Sequence, residues 1–250
     1  MPKAQAPTSV WTRPGRTRRE QQPTLDREQI VDAALDLLDA DGLEKLSMRR
    51  LGAKLNAGAT SVYWHVAGKE ELLELAMDRV MAEVTVPRPA SPGDWRAAAT
   101  GYARSLRAMI HRHPWTVTLF GSRPMIGPNA TRVMDEALDA LRTAGFTGFD
   151  LEYAWSAIVD YVIGAAGSEA SWRVHQKGTT TDEWMASMTP YLERVNAERP
   201  RLAEHITHIW AKDDAEVLEG RFTFGLDCVL DGLAARVGTG QPRGRRGAGK

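Results

Sequence analysis

Arg49, Arg50 and Lys54 crowd one side of a short stretch, and Ala59, Thr60 and Ser61 follow closely with no bulky side chain among them. Basic groups beside a slim helix tip suit duplex recognition. Cations meet phosphate, and small side chains fit against base edges in a major groove wide enough to admit a helix. The run LSMRRLGAKLNAGATSVYWHVAGK, residues 46–69, predicts two short helices at an angle and the start of a third. Ser47 can cap the first, because its hydroxyl accepts from a backbone N–H two or three residues on. Leu51 and Leu55 share a face at i, i+4, with Met48 one turn earlier, and the basic residues occupy the other side. Asn56-Ala57-Gly58 breaks the pattern with residues that tolerate a left-handed backbone at a helix end. Residues 59–65 resume as a helix whose Val62 and Val66 pack inward. The pattern is a helix-turn-helix, which lays its second helix in the groove.

The flanking sequence positions this unit. Asp26, with Gln29 three residues later, is a capping-box arrangement, and Ile30, Ala33, Ala34, Leu37 and Leu38 follow at helical spacing until Gly42. Lys69 opens a further helix with Leu72, Leu73, Ala76, Met77, Val80 and Met81 on one face. Residues 25–84 resemble the DNA-binding domain of the tetracycline-repressor (TetR) family of bacterial transcription regulators. The matching residues include Ala33-Ala34, Leu37-Leu38, Gly42, Leu46-Ser47, Arg49, Leu51, Lys54-Leu55, Tyr63-Trp64-His65-Val66 and Lys69. The resemblance implies that Arg49 contacts bases, and its planar fork suits guanine O6 and N7. It places Ala59, Thr60 and Ser61 at the base-facing tip. They differ from the residues of tetracycline-responsive members, so a different operator is expected. Tyr63, His65 and Lys69 are the phosphate candidates, with Lys69 also bringing helix-start N–H groups toward the backbone. Trp64 is expected to close the small core beside Val62 and Val66. Arg50 and Lys54 fit either solvated charges or phosphate contacts.

With 250 residues the chain has room for one or two domains and a sizeable core. Its net charge is zero, but the charge is unevenly placed. Residues 1–24 carry Lys3, Arg13, Arg16, Arg18 and Arg19 against Glu20, and the C-terminal tail is equally basic. Both ends are rich in Gly or Pro and read as disordered, residues 1–24 as a basic arm and 238–250 as a tail. Phosphate attraction and simple solubility both fit the arm. A single cysteine, Cys228, excludes an intrachain disulfide, and its apolar helix predicts a buried, inert thiol. No apolar run reaches the roughly 18 residues of a membrane span, and no secretory signal precedes the domain, so a cytoplasmic protein is expected.

Beyond residue 84 helical segments are predicted near 93–112, 115–120, 128–145, 150–175, 182–199 and 213–237, with no convincing strand. The expected fold is all-α: a three-helix head at 25–84, including a linking helix at 69–84, and a helical body at 85–237. Segments 150–175 and 213–237 carry broad apolar faces and internal glycines that call for close helix approach. The family resemblance implies that they form a homodimer interface, which gives two reading heads for palindromic double-stranded operator DNA. It also implies a small-molecule effector bound in the body. Met109, Trp115, Phe120, Trp155 and Tyr161 are candidate apolar contacts, and His113, Thr118, Ser122, Asp160 and Glu169 candidate polar ones. Ordinary packing is the competing explanation for each of these residues.

Phe120-Gly121-Ser122-Arg123-Pro124 aligns with a family motif, and Leu119 then stands where tetracycline-responsive members carry a magnesium-binding histidine. An aliphatic side chain cannot ligate magnesium, so the expected effector is largely apolar rather than a magnesium–tetracycline chelate. His111 and His113 lie about 200° apart on a helix, and no carboxylate pair frames His205 and His208. No metal, cofactor or enzymatic motif is therefore expected. The expected function is that of a ligand-responsive repressor. A constitutive DNA-binding regulator whose body only dimerises is the alternative, and a helical enzyme the remote one.

Overall fold

The computed structural model describes residue 11 and residues 25–175, 181–210 and 214–239. The basic arm and most of the tail expected from the sequence lie outside the described residues. All regular structure among them is helical. The head comprises α1 (Arg27–Asp41), α2 (Met48–Lys54), α3 (Ala59–Tyr63) and α4 (Lys69–Met81). The body comprises α5 (Trp95–Arg112), α6 (Pro128–Thr143), α7 (Gly148–His175), α8 (Thr181–Glu198), α9 (Pro200–Trp210) and α10 (Asp214–Thr239). A 3-10 turn, Pro114–Thr118, replaces the helix expected near 115–120, and α9 was not anticipated.

Local chemistry explains the helix starts. Asp26 and Gln29 form the expected reciprocal capping box, with Gln29 N donating to Asp26 Oδ1 at 2.7 Å and Asp26 N to Gln29 Oε1 at 3.1 Å. Ser47 caps α2 by accepting from Arg50 N at 3.3 Å. Asn56 adopts φ 49°, the left-handed turn predicted between the two short helices. Gly52 is buried in that angle, where an added Cβ would lie 2.8 Å from the Ala57 carbonyl oxygen. Only glycine lets the turn close onto α2.

One apolar core runs from the head into the body. Ile30, Ala34, Leu51, Val62, Leu72, Ala76 and Val80 are completely or almost completely buried in the head. In the body, α5 packs on α6 and α7, and α7 packs on α10. Head and body meet where α4 lies on α6 and where α1 touches the Pro114–Thr118 turn.

The α4–α6 contact holds a buried carboxylate. Helix α6 begins after Gly127, which has no side chain with which to cap it. Asp78 of α4 supplies the cap instead. Its Oδ1 accepts from the backbone N–H of Asn129 at 3.0 Å and of Ala130 at 2.9 Å, and its Oδ2 accepts from Asn129 Nδ2 at 2.9 Å. A carboxylate at a helix N-terminus satisfies orphan donors and the helix dipole together.

Asp78→Ala should therefore lower the unfolding free energy by about 1–3 kcal/mol, the penalty for leaving buried donors unpaired. Asp78→Asn keeps one acceptor oxygen and should lose less. Urea titrations of the three proteins test this, and equal stability of all three would refute the cap.

Candidate functional site

The tip of α3 stands clear of the head. Thr60 and Ser61 are exposed, Ala59 is half-buried, and Val62 behind them is fully buried. Helix α3 is only five residues long, and its chain turns through Trp64 and His65 before Val66 returns to the core. This turn corrects one expectation. Trp64 is 72 % exposed rather than packed in the small core. The reason is phase: Val62 and Val66 take the inward positions at i, i+4, and a residue midway between them points the other way. Tyr63 is 47 % exposed beside it, and His65 is half-buried.

The basic residues around the tip divide into two groups. Arg50 is tied back to the end of α1, with Nη2 on Asp41 Oδ2 at 2.5 Å and Nη1 on the Lys45 carbonyl at 3.0 Å. Lys54 pairs with Asp36 at 3.0 Å. Arg49 is exposed and makes no such bond among the described residues. The Lys69 ammonium donates to the Leu43 carbonyl at 2.9 Å and staples the start of α4 to the α1–α2 connection.

The body distributes the ten candidate effector residues widely. Met109 is fully buried in the core. The Thr118 hydroxyl donates to the Trp115 carbonyl at 2.7 Å and that of Ser122 to Leu119 at 2.9 Å, closing the turns that contain them. Asp160 is exposed, and Phe120 is half-buried against the core. Tyr161 donates to the Phe222 carbonyl at 2.8 Å, and its ring occupies the space left by Gly225, which lets α7 and α10 approach closely. His113 and Trp115 are buried at the head–body junction, where both meet Asp39 of α1.

Glu169 is 3 % exposed and locked into an ion cluster. Arg107 of α5 grips both its oxygens, from Nε at 2.9 Å and Nη2 at 3.0 Å, and reaches Glu219 of α10 at 2.5 Å. His111 Nε2 lies 2.6 Å from Glu169 Oε2, and the Arg107 guanidinium sits 4.2 Å from the centre of the Phe222 ring. Burial alone would raise the Glu169 pKa, but the hydrogen bonds from His111 and Arg107 outweigh it and hold the pKa below the ordinary value.

Of the ten, Trp155 lines a cleft between α5, α6 and α7. Its walls are Ala98, Ala99 and Tyr102 of α5, Ala137, Ala140 and Leu141 of α6, and Trp155 and Ile158 of α7, with Val86 from the segment after α4. The Trp155 Nε1–H is buried and faces the Tyr102 hydroxyl without making a hydrogen bond of normal geometry. Burial pushes the Tyr102 pKa up, so the phenol stays protonated. Large aromatic residues mark a candidate site in the sequence, whereas the space here is created by alanines, which carry no such signal.

Exposed apolar surface marks α7 and α10. Phe149 and Tyr153 stack with ring centroids 6.0 Å apart and are 78 % and 64 % exposed, and Phe224 is 73 % exposed. Cys228 is also exposed, correcting the buried thiol expected from its apolar surroundings. The buried stripe of α10 is Phe222, Leu226, Leu230 and Leu233, and residue 228 falls on the opposite side. Gly164 and Gly232 have open space where a Cβ would stand, so among the described residues nothing approaches them closely.

Among the described residues no helix is long and apolar enough to cross a membrane. Residues 30–76 match the bacterial regulatory proteins of the tetR family, and residues 87–237 match the tetracyclin repressor-like C-terminal domain. An HTH-type transcriptional regulator of Saccharopolyspora erythraea is 37 % identical over 233 residues, covering 93 % of this chain and 94 % of its own. The HTH-type transcriptional repressor DrrR1 of Streptomyces coeruleorubidus is 38 % identical over 232 residues, covering 91 % of this chain and 84 % of its own. Apo ActR from Streptomyces coelicolor shares the fold with a TM-score of 0.73 at 31 % identity, over 88 % of this chain and 100 % of that one. ActR in complex with actinorhodin gives 0.71 at 32 % identity, over 86 % and 99 %. These relatives regulate transcription and are not enzymes. The chain belongs to the TetR family of helix-turn-helix transcription regulators.

Proposed function

We propose that the protein is a homodimeric repressor of a palindromic operator, released when a small, largely apolar effector enters the cleft between α5, α6 and α7. The observation that carries the effector half is the Trp155 N–H, a buried donor in a largely apolar cleft whose neighbour, the Tyr102 hydroxyl, is not set for a well-formed hydrogen bond. Such a donor is costly to leave unpaired, and a ligand carbonyl or hydroxyl would satisfy it. Four small alanines on two facing helices favour a flat ring system over a branched one. ActR, the similar protein described above, has been solved with actinorhodin and with (S)-DNPA. The aliphatic Leu119, 4 % exposed, disfavours a metal chelate as the effector.

The cleft has a volume of about 10 Å³, room for about one water molecule. Ligand pockets usually offer about 300–1,000 Å³, so a multi-ring effector must part the helices to enter. Helix α6 forms one wall, and its N-terminus is held by Asp78 of α4. Displacement of α6 is thereby passed to α4 and to the reading head at its other end. In a dimer docked through the exposed faces of α7 and α10, a small rotation of each head would spoil the half-site spacing of about 34–36 Å. Coupling of a few kcal/mol is enough, since about 1.4 kcal/mol is tenfold in affinity.

Arg49 is assigned to base reading, with Thr60 and Ser61 at the helix tip beside it. Tyr63 and His65 are assigned to phosphates, with Lys69 supporting the same edge by holding α4 in place. Arg49→Ala should weaken binding to a palindrome selected from random DNA by about 1–3 kcal/mol, with little effect on mixed-sequence DNA. Equal losses on both DNAs, measured by fluorescence anisotropy, would assign Arg49 to phosphate instead. Ala137→Leu should fill the cleft. It should leave operator affinity within about twofold of wild type, a difference of well under 1.4 kcal/mol, and abolish release by a compound that dissociates the wild-type complex. Unchanged release would place the effector elsewhere.

A further inference from the structure

His113 occupies the seam between head and body, 8 % exposed. Its Nδ1 lies 2.8 Å from Asp39 Oδ1 on α1, and its Nε2 lies 3.0 Å from Glu83 Oε1, just beyond the end of α4. Two neighbours fix these carboxylates. Trp115 Nε1 donates to Asp39 Oδ1 at 2.7 Å, and Arg112 Nε donates to Glu83 Oε2 at 2.7 Å. A neutral imidazole has one N–H and one lone pair, so it satisfies one carboxylate and turns a lone pair on the other. Only the imidazolium donates to both.

We infer that His113 is a positioning residue for DNA reading: its imidazolium latches α1 and the end of α4 to the body in the operator-binding arrangement, and loss of the proton opens the latch. The assignment to the operator-binding arrangement rests on the function proposed above. With a volume of about 10 Å³ the cleft admits no ring system in this arrangement, and in a repressor released by its effector the arrangement that excludes the effector binds operator. A proton at His113 and an effector in the cleft then act on the same head–body equilibrium with opposite sign.

The direction of the pH effect follows from the seam. Burial works against the charge on His113, but hydrogen bonds and charge attraction from Asp39 and Glu83 outweigh it, and the pKa stands above its ordinary value. A group raised in this way contributes fully below the ordinary imidazole pKa of about 6.5, and the contribution is lost as pH rises through the higher folded value. Asp39 faces His113 from α1 and Glu83 from the end of α4, and Arg112 and Trp115 bear on those two carboxylates.

The test compares wild type with His113→Gln and Glu83→Gln, as full-length proteins, at about pH 6 and about pH 9, on either side of the histidine range. Binding to a palindrome selected by the wild-type protein is measured beside binding to mixed-sequence DNA, and the ring titration of His113 is followed by NMR. Wild type should lose about fivefold in operator affinity from low to high pH, at the low end of allosteric coupling, beyond any loss on mixed-sequence DNA. His113→Gln should lack this extra loss. Glu83→Gln should reduce it while binding well at high pH, because an amide can donate to the neutral ring. An extra loss identical in all three proteins would overturn the latch. So would a His113 titration at or below about 6.5, whether or not any palindrome is selected. Failure to select a palindrome would count against the proposed function instead. The latch would then stand or fall on whether the stability difference between wild type and His113→Gln shrinks from low to high pH.

Discussion

Helix α4 belongs to two structures at once, and the buried carboxylate of Asp78 makes it so. Toward the head, Leu72, Leu73, Ala76 and Val80 close the small core behind the helix-turn-helix. Toward the body, Asp78 supplies the cap that Gly127 cannot, so the start of α6 is fixed to the linking helix. That contact adds a directional link to the apolar packing between the head and this wall of the cleft. With it, α6 is both a cleft wall and the partner of α4, and the position of one specifies the position of the other. Hydrogen bonds to a helix start are directional, which makes them better transmitters than non-directional apolar contact.

Charge in the head is arranged by subtraction. The chain holds 32 basic and 32 acidic residues, and much of the head's positive charge is answered locally. Arg27 pairs with Glu71, Arg50 and Lys45 with Asp41, Lys54 with Asp36 and Arg79 with Asp32. Exposed pairs of this kind add about 0–1 kcal/mol each to stability. Their larger effect is on where uncompensated charge remains. Arg49 stays exposed while Arg50, its neighbour in sequence, is turned back onto α1. Of two adjacent arginines one braces the head and the other, proposed to read bases, is left open to solvent, and the position of Asp41 separates them.

Local signals were legible in the sequence and long-range ones were not. The capping box of Asp26 and Gln29, the Ser47 cap and the left-handed Asn56 involve residues within a few positions of one another, and each emerged where the residue types placed it. The all-helical fold followed from the same periodicities. Helix α9 escaped because Arg199-Pro200 reads as a break, although proline is well suited to the first position of a helix. Trp64 and Cys228 were misplaced by composition, since apolar neighbours do not determine which way a helix turns a side chain. His113 drew attention as a polar group near aromatic residues, but its carboxylate partners lie 74 and 30 positions away in sequence. No spacing rule reaches that far. The cleft was hidden for a further reason: alanine marks space by what it lacks.

The distribution of polar and apolar contacts bears on how such a molecule can switch. Within the body, α5, α7 and α10 are joined by dense packing and by the Arg107–Glu169–Glu219 cluster, whose buried charges make partial separation expensive. Between head and body the polar links include Asp78 on the start of α6, His113 with Trp115 on Asp39 and Glu83, Arg112 on Glu83, Arg123 on Glu70, and Arg132 on the Met81 and Val84 carbonyls. Asp39 and Glu83 are about one-third exposed, so water can replace their partners at modest cost. A molecule built this way yields first at its seam. On the function proposed, the body deforms around the cleft while the head moves about α4. Many of the hydrogen bonds between them involve exposed groups, which keeps the difference between two arrangements within reach of a single bound ligand.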